Sequence, residues 1–389
     1  MTENIRIGIA GLSARGGWAA TAHVPAIAAV EGLELRGVTA SSLESAERSA
    51  QKHGVAHAFG SVGEMAASGE VDLIVVAVKV PDHRDLIMTT LDTGTSVLSE
   101  WPLARSSREA AELVDHADTS DVRTHVMLQA RSSPALVYLR DLIREGYVGD
   151  VISTGIVAAG GNWGGTVDNT RLYQLDPESG FSMLSGPIGH TLDALVFVLG
   201  ELSEVAATMG LLRPRELNVD TGEWVQNRVH DQIALTGRLS DGAVVSMQFR
   251  GGVPAGPGLR WEIVGTDGVI VATIDKGVPL IQIGRIELSA ARGDERLLSP
   301  LEVPARYTRV SGVPDAAVNL AHAYLNLRDS ARNEKSPAPD FTHAAGLHTV
   351  LAAIETAAAT GATQRLGTPA AEASPNSTAA CTTGECAAR

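Results

Sequence analysis

The sequence predicts an α/β chain in which a doubly wound parallel sheet is followed by a separate α+β domain. Three observations support this prediction: short β-branched runs alternate with helical stretches up to about residue 128, two Asp-Gly hairpins follow, and two stretches with helical character come last. A length of 389 residues suits two or three domains. We expect a first domain of residues 1–128, a second of residues 129–366, and a disordered tail of residues 367–389, which is rich in Ala, Ser, Thr and Pro and shows no periodicity.

Strands and helices alternate in the first 128 residues. Ser42–His53 and Ser106–Ala117 have helical character, with serine N-caps and a glutamate in the first turn. The β-branched runs between such stretches predict strands, and strands joined by helices form a right-handed, doubly wound parallel sheet. The predicted strands are Arg6–Ala10, Leu33–Ala40, Leu73–Val78, Ser96–Ser99 and Thr124–Leu128.

The pattern changes in the second part of the chain. Asp241-Gly242 and Asp267-Gly268 each separate two strand-like runs, which is the signal of an antiparallel hairpin. Hairpins that follow βαβ units indicate an α+β domain. The predicted elements are a helix at Pro134–Glu145, a strand at Asp150–Gly160, hairpin strands Gln232–Leu239 with Ala243–Phe249 and Arg260–Gly265 with Val269–Ile274, and closing helices at Asp315–Arg332 and Thr342–Ala359.

Composition argues against several classes of protein. A content of 44% hydrophobic and 20% charged residues is ordinary for a soluble globular chain, and a net charge of −14 argues against a nucleic-acid binder. The apolar runs are far shorter than the ~20 residues of a membrane span, and the first residues lack the features of a signal peptide, so we expect a cytoplasmic protein without a membrane partner. Both cysteines, Cys381 and Cys386, lie near the end of the chain, and the histidines have no metal-ligand spacing, so we predict no metal site.

A glycine-rich turn follows the first predicted strand. Gly11, Ser13 and Gly16 match the pattern G-x-G-x-x-G, with serine where the backbone approaches a pyrophosphate. Its strand-turn-helix context favours a Rossmann-type dinucleotide site over a purely structural turn, with Leu12 and Arg15 as further contacts.

The end of the second predicted strand bears on the choice of cofactor. NAD-binding sites place an Asp or Glu there, whereas this chain has Ser41 and Ser42 after Thr39-Ala40. Without a repelling carboxylate a 2′-phosphate is tolerated, and Ser41, Ser42 and Arg15 are candidates to bind it, so we favour NADP over NAD. The alternative is that Ser42 only caps the next helix.

A second glycine-rich segment follows the predicted strand Asp150–Gly160. It contains Asn162 and Trp163, and an aromatic ring with an amide suits a carbohydrate, because the ring packs on the apolar sugar face while the amide meets hydroxyls. A mobile loop is the equal alternative. Arg131 and Tyr173 are further candidates for the substrate cleft.

Several motifs in order resemble the Gfo/Idh/MocA oxidoreductases. They are Val75–His83, Ser99–Ala104, Gln129–Pro134 with Gly146–Asp150, and Gly189–Asp193, and the resemblance extends from Ile5 to Leu366. It implies NAD(P)-dependent chemistry on sugars or cyclitols, and a second domain with a large, mostly antiparallel sheet whose open face forms a homo-oligomer. Within the family, Gly11–Trp18, Val78–His83, the Glu100-Trp101 pair and Gly189–Asp193 resemble the branch that contains the fungal galactose-regulon repressor. That repressor binds a nicotinamide dinucleotide but acts by binding a transcriptional activator.

The resemblance also implies the roles of individual residues. Glu100-Trp101-Pro102 stands where the family has Glu-Lys-Pro, and Gly186–His190 stands where it has Asp-x-Gly-x-His, so of the three catalytic groups only His190 remains. By resemblance His190 carries the proton, Glu100 lies near the nicotinamide ribose, and Trp101 lies near the nicotinamide or the substrate. None of the four lysines stands at the catalytic position, and Val80 and His83 border the cofactor. The four lysines are Lys52, Lys79, Lys276 and Lys335.

Each of these residues also has a structural interpretation. His190 is equally a hydrogen-bonded residue at a helix start, Trp101 a core aromatic and Glu100 a solvated charge. We therefore hold two hypotheses. The first is an NAD(P)-dependent oxidoreductase for a sugar, cyclitol or related polyol, and the second is a catalytically impaired dinucleotide-binding sensor or regulator of sugar metabolism.

Overall fold

The computed structural model describes residues 4–120, 122–253, 255, 258–275, 277–333 and 338–367. Apart from Gly367, the tail predicted to be disordered lies outside the described residues, as do Cys381 and Cys386. Within the described ranges, no helix has the length and apolar character needed to cross a membrane.

A six-stranded parallel sheet forms the N-terminal part, as predicted. Its five predicted strands are confirmed to within two residues at each end, and the short third strand was not predicted. The order β3-β2-β1-β4-β5-β6 reverses between β1 and β4, where doubly wound sheets bind ligands. The elements are strands β1 Ile5–Ala10, β2 Leu33–Thr39, β3 His57–Ala58, β4 Leu73–Val76, β5 Ser96–Glu100 and β6 Thr124–Met127, and helices α1 Val24–Ala28, α2 Leu43–His53, α3 Val62–Ala67, α4 His83–Asp92 and α5 Ser107–Ser120.

Both faces of this sheet are buried. Successive residues of β4 point to opposite faces, so Leu73 and Val75 join one apolar cluster while Ile74 and Val76 join the other. A continuous β-branched run is what a strand buried on both faces requires, and it explains why the strands were readable from sequence.

A nine-stranded, mostly antiparallel sheet forms the second part, as the resemblance implied. Its order is β17-β16-β15-β14-β7-β13-β12-β9-β18, and among the described residues β7 and β13 pair in parallel while the other neighbours are antiparallel. The strands are β7 Val151–Ala159, β8 Thr166–Val167, β9 Leu202–Gly210, β10 Arg215–Asn218, β11 Trp224–Gln226, β12 Gln232–Leu239, β13 Val244–Arg250, β14 Leu259–Gly265, β15 Gly268–Ile274, β16 Glu287–Arg292, β17 Ser299–Leu301 and β18 Gln364–Arg365, and the helices are α6 Pro134–Arg144, α7 Gly189–Leu199, α8 Asp315–Asn333 and α9 Phe341–Thr360.

Both predicted hairpins are present, β12 with β13 and β14 with β15. At the first turn Gly242 has φ +98° and the Asp241 carboxylate accepts the N–H of Ala243 at 3.0 Å. The turn therefore uses both the left-handed freedom of glycine and the local hydrogen bond of aspartate. A small three-stranded sheet, β11-β10-β8, was not predicted.

Helix α8 returns to the first sheet after β17, before β18 adds the last strand of the second sheet. Its Leu320 and Tyr324 are fully buried in the same apolar cluster as Ile7 and Ile9 of β1. Helix α9 instead packs beside α5 and β9. Helix α8 therefore packs on the first sheet although it lies within residues 129–366, the expected second domain.

Candidate functional site

A cavity of about 490 Å³ lies at the carboxyl ends of β4 and β5, against the second part of the chain. This is the edge at which open α/β sheets bind ligands, and the volume lies within the usual range of ligand pockets. Residues from the first part that line it include Lys79, Val80, His83, Glu100 and Trp101, and those from the second part include Tyr173, Gln174, Phe181, Gly186 and His190.

The glycine turn sits beside this edge in a conformation that needs glycine. Gly11 has φ +100°, and a Cβ there would lie 2.6 Å from the carbonyl oxygen of Ala77. Ser13 accepts the N–H of Arg15 at 3.1 Å, which holds the turn. Leu12 is fully buried in the apolar cluster beneath the turn, so its side chain faces the core rather than a ligand.

Four polar side chains stand near the turn or at the end of β2. Ser42 is the N-cap of α2 and accepts the N–H of Ser45 at 3.2 Å, as the structural alternative predicted. Ser41 and Arg15 are exposed. Lys52, which the sequence analysis did not select, donates to the carbonyl oxygen of Ala14 at 2.7 Å and so brings an ammonium group to the glycine turn.

The two replaced motif positions are filled by aromatic side chains. The indole N–H of Trp101 donates to the carbonyl oxygen of Ser185 at 2.7 Å, and the side chain is only 4% exposed. A Cβ at Gly189 would lie 2.6 Å from the Trp101 indole nitrogen, and a Cβ at Gly186 would lie 2.8 Å from the Phe181 ring. An aspartate at position 186 would therefore require Phe181 to move.

His190 is the second residue of α7 and is 5% exposed. Burial lowers the pKa of His190 to about 4, although the Glu100 and Asp193 carboxylates favour the charged form. The imidazole is therefore neutral near pH 7 and is a weak base.

Four residues that line the cavity each have a buried polar atom with no hydrogen-bond partner among the described residues. The atoms are Trp18 Nε1, Gln129 Oε1, His190 Nδ1 and Gln282 Oε1. Buried polar atoms in proteins are almost always hydrogen-bonded, so four such atoms in one cavity wall single it out as the candidate site for a polar ligand. Trp18, Gln129 and Gln282 were not selected from the sequence, because burial and lack of a partner are visible only in the fold.

Lys79 brings a positive charge into the cavity. Its Nζ lies 4.7 Å from the centroid of the Tyr173 ring, which is a cation–π contact. The segment that follows β4 thus contributes an ammonium group to the cavity wall, in which Trp101 stands at the position of the motif lysine. His83, beside it, is buried between the carbonyl oxygens of Val78 and Leu103.

Three predicted substrate residues, Arg131, Asn162 and Trp163, do not line the cavity. Arg131 forms an ion pair with Asp193, donating from Nε at 2.9 Å, and also contacts His343. Asp193 is 1% exposed, and a buried carboxylate needs such a cation. The prediction that Arg131 lies in the cleft is therefore corrected.

Trp163 is the second correction. It is 1% exposed, donates its indole N–H to the carbonyl oxygen of Gln174 at 3.1 Å, and stacks on Phe181. Asn162 likewise donates to Gln174 Oε1 at 2.9 Å. Both side chains support the cavity wall from behind, because Gln174 and Phe181 form its surface. Tyr173, by contrast, lines the cavity as predicted.

Two family descriptions match the chain. "Oxidoreductase family, NAD-binding Rossmann fold" (GFO_IDH_MocA) matches residues 5–128, and "Gal80p, C-terminal domain" (Gal80p_C-like) matches residues 134–273.

Curated relatives include both regulators and a dehydrogenase. The galactose/lactose metabolism regulatory protein GAL80 of Kluyveromyces lactis is 32% identical over 70% of this chain and 64% of its own length, so the match spans somewhat less than two thirds of that relative. GAL80 of Saccharomyces cerevisiae is 30% identical over 70% of this chain and 67% of its own length. Dehydrogenase aclE of Aspergillus oryzae is 30% identical over 69% of this chain and 76% of its own length.

Solved structures that superpose on this chain likewise include a regulator and a dehydrogenase. A super-repressor mutant of Gal80p from Saccharomyces cerevisiae superposes with a TM-score of 0.84 at 25% identity, covering 93% of this chain and 98% of that one. Levoglucosan dehydrogenase in complex with NADH and L-sorbose superposes with a TM-score of 0.80 at 19% identity, covering 94% and 99%, which shows a common fold.

Proposed function

Because the chain belongs to the Gfo/Idh/MocA oxidoreductase family, we propose that it is an NAD(P)-dependent oxidoreductase that transfers a hydride to or from a sugar, cyclitol or related polyol. The observation that supports the proposal is that four residues lining the cavity beside the glycine turn each have a buried polar atom without a hydrogen-bond partner among the described residues. One of these atoms is an indole donor and two are amide acceptors. A polyol suits such a mixed set, because each hydroxyl both donates and accepts.

The chain's own groups fit a dinucleotide. The backbone at Gly11, where a Cβ would meet Ala77, approaches closely enough for a pyrophosphate to be cradled. Bound there, the cofactor would supply the hydride acceptor or donor. Glu100 faces the cavity at the end of β5.

His190 accepts the proton and Lys79 stabilises the developing negative charge in the proposed reaction. When an alcohol is oxidised, the hydroxyl proton passes to the neutral imidazole of His190 as the hydride leaves the same carbon. The Lys79 ammonium stabilises the negative charge that develops on the oxygen, in place of the missing motif lysine. With its pKa lowered to about 4, His190 is a weak base. Proton transfer to it therefore depends strongly on Lys79, which stabilises the negative charge on the oxygen.

We favour NADP as the cofactor. Arg15 and Ser41 are exposed and Lys52 is bound to the glycine turn, while the end of β2 carries no carboxylate. An additional 2′-phosphate would meet positive charge there.

A turnover assay tests the proposal. NADP and NAD are offered with a panel of sugars, cyclitols and their keto forms, and reduced cofactor is followed by absorbance. We expect turnover with at least one polyol, and a loss of turnover in Lys79→Met, with Arg108→Met on the exposed surface of α5 as the matched loss of a cation. Absence of hydride transfer with every pair would refute the enzyme proposal.

A regulator is the second candidate function. It is favoured by Trp101 and Phe181, which occupy the space of the motif lysine and aspartate, and by the two GAL80 relatives, whose names describe metabolic regulators. It predicts tight dinucleotide binding without turnover, and capture of a protein partner that depends on the dinucleotide. Capture that ignores the dinucleotide would count against it.

A further inference from the structure

We propose that a buried hydrogen-bonded relay, Tyr324–His23–Glu100, positions the Glu100 carboxylate in the cavity and makes it select a ligand group that donates a hydrogen bond. The relay joins three distant parts of the chain: α8, the helical turn before α1, and the end of β5. The inference rests on the proposed function in one respect, namely that the cavity binds a dinucleotide or a polyol.

The hydrogen bonds of the relay are short. Tyr324 Oη lies 2.6 Å from His23 Nδ1, and His23 Nε2 lies 2.8 Å from Glu100 Oε1. His23 and Tyr324 are both 0% exposed, and the Trp18 ring makes a T-shaped contact with His23, with centroids 6.4 Å apart. The Tyr324–His23 end of the relay is therefore shielded from solvent, while the Glu100 side chain, 13% exposed, reaches the cavity.

The direction of each bond follows from the chemistry of its ends. A carboxylate only accepts, so His23 Nε2 must carry the proton. In a neutral imidazole Nδ1 then accepts, and the Tyr324 hydroxyl must donate to it. Burial raises the pKa of Tyr324 well above its usual value, so the phenol keeps the proton that this arrangement needs. The Glu100 carboxylate thereby selects the Nε2–H tautomer of His23, and the Tyr324 hydroxyl satisfies the acceptor nitrogen that this tautomer leaves.

The relay binds one carboxylate oxygen of Glu100 and leaves the other available to a ligand in the cavity. Oε1 is bound by His23, while Oε2 has no hydrogen-bond partner among the described residues and the residue lines the cavity. A ligand that meets Oε2 must therefore present a hydroxyl or N–H. Loss of one hydrogen bond to a charged group weakens binding about 10- to 100-fold.

Tyr324→Phe tests the relay in the full-length protein. Without the hydroxyl, the buried Nδ1 acceptor of His23 has no partner, so the ring is held against Glu100 from one side only. We expect NADPH affinity, measured by its fluorescence between pH 7 and pH 8, to fall about tenfold relative to the wild type.

Matched variants separate positioning from folding. Tyr307→Phe also removes a tyrosine hydroxyl bond, to Asp141 at 3.0 Å, but lies on the far side of α6, and it should leave affinity unchanged. His23→Leu should weaken NADPH binding at every pH, whereas His23→Gln, which retains a donor toward Glu100, should restore most of it.

A second readout does not depend on the nucleotide. In ¹⁵N-histidine-labelled protein, His23 should show the Nε2–H tautomer across the same interval, with its signal assigned by its absence in His23→Gln. A protonated or Nδ1–H ring in the wild type overturns the relay, as does a Tyr324→Phe protein that binds NADPH with wild-type affinity. If the wild type binds neither NADPH nor NADH, the proposed function fails while the tautomer still decides the relay.

Discussion

Glu216 on β10 is a buried carboxyl group whose pKa is shifted toward neutral pH. It is 1% exposed, and neither of its carboxyl oxygens has a hydrogen-bond partner among the described residues. Burial, together with the nearby Asp231 charge, raises the pKa of Glu216 to about 7. The folded state therefore holds a proton that the unfolded chain releases near pH 4.5. This contribution to stability is complete below the unfolded pKa and is lost as the pH rises through about 7.

We predict that Glu216→Gln stabilises the protein at alkaline pH. The amide cannot ionise, so the variant should exceed the wild type by about 2 kcal/mol near pH 8.5 and match it near pH 5. Denaturant unfolding at both pH values measures the difference. Glu47→Gln on the exposed surface of α2 is the control and should show no such pH dependence. Equal stability of Glu216→Gln and wild type at both pH values would contradict the prediction.

His190 gives the second residue-scale prediction. If its neutral imidazole accepts the proton, kcat/KM should lose activity only below about pH 4, because that is where the free protein protonates it. His190→Asn should lower kcat about 10²- to 10⁴-fold and remove this acid limb. His116→Asn is the control, since His116 is remote from the cavity, on α5, and bonds Asp92 at 2.7 Å. An acid limb that persists in His190→Asn would assign it to another group.

Single residues were predictable from sequence where a local motif carried them. Gly11, Glu100 and His190 stand in short patterns whose geometry is local, so the motif placed them at the cavity or its glycine turn. Arg131 and Trp163 were misassigned, because their surroundings depend on Asp193 and Gln174, which the fold brings to them. His23 and Tyr324 meet only because α8 returns to the first sheet.

At the scale of elements, burial explains what the sequence revealed. Strands buried on both faces appear as β-branched runs, and Asp-Gly pairs mark the hairpin turns. The strands of the first sheet with such runs and the two hairpins were therefore predicted nearly to the residue. The strands that were missed include β3, β8 and β11, which have two or three residues and no pattern of their own. Such short strands depend on a neighbouring strand rather than on their own residues.

The turn between β2 and α2 gives an element-scale prediction. Ser42 caps α2, so Ser42→Ala should lower the free energy of unfolding by about 1 kcal/mol, with or without cofactor. Ser41 is exposed and is not the cap, so Ser41→Ala should leave stability unchanged and weaken NADP more than NAD. Thermal unfolding and dinucleotide titrations of the two variants separate the roles. A loss of NADP selectivity confined to Ser42→Ala would reverse this assignment.

At the scale of the whole molecule, the nine-stranded sheet has one face in the core and one face outside. Along β13, Val245, Met247 and Phe249 are buried while Val244, Ser246 and Gln248 are exposed. On β7, Val157 is 48% exposed. The exposed face carries two apolar side chains, Val157 and Val244, each 48% exposed, and exposed apolar side chains on one sheet face suit packing against a second copy.

We therefore expect a homo-oligomer assembled through this face, and Val157→Glu should dissociate it. A carboxylate there is harmless in a monomer, because Val157 is already half exposed, but in an interface it is buried opposite its symmetry mate, which costs several kcal/mol. Light scattering at micromolar concentration should show a lower mass for Val157→Glu and for Val244→Glu than for the wild type. Leu297→Glu, in the turn between β16 and β17 and 82% exposed, introduces the same charge away from the face and should keep the wild-type mass. A monomeric wild type, or dissociation by Leu297→Glu alone, would show that this face is not the interface.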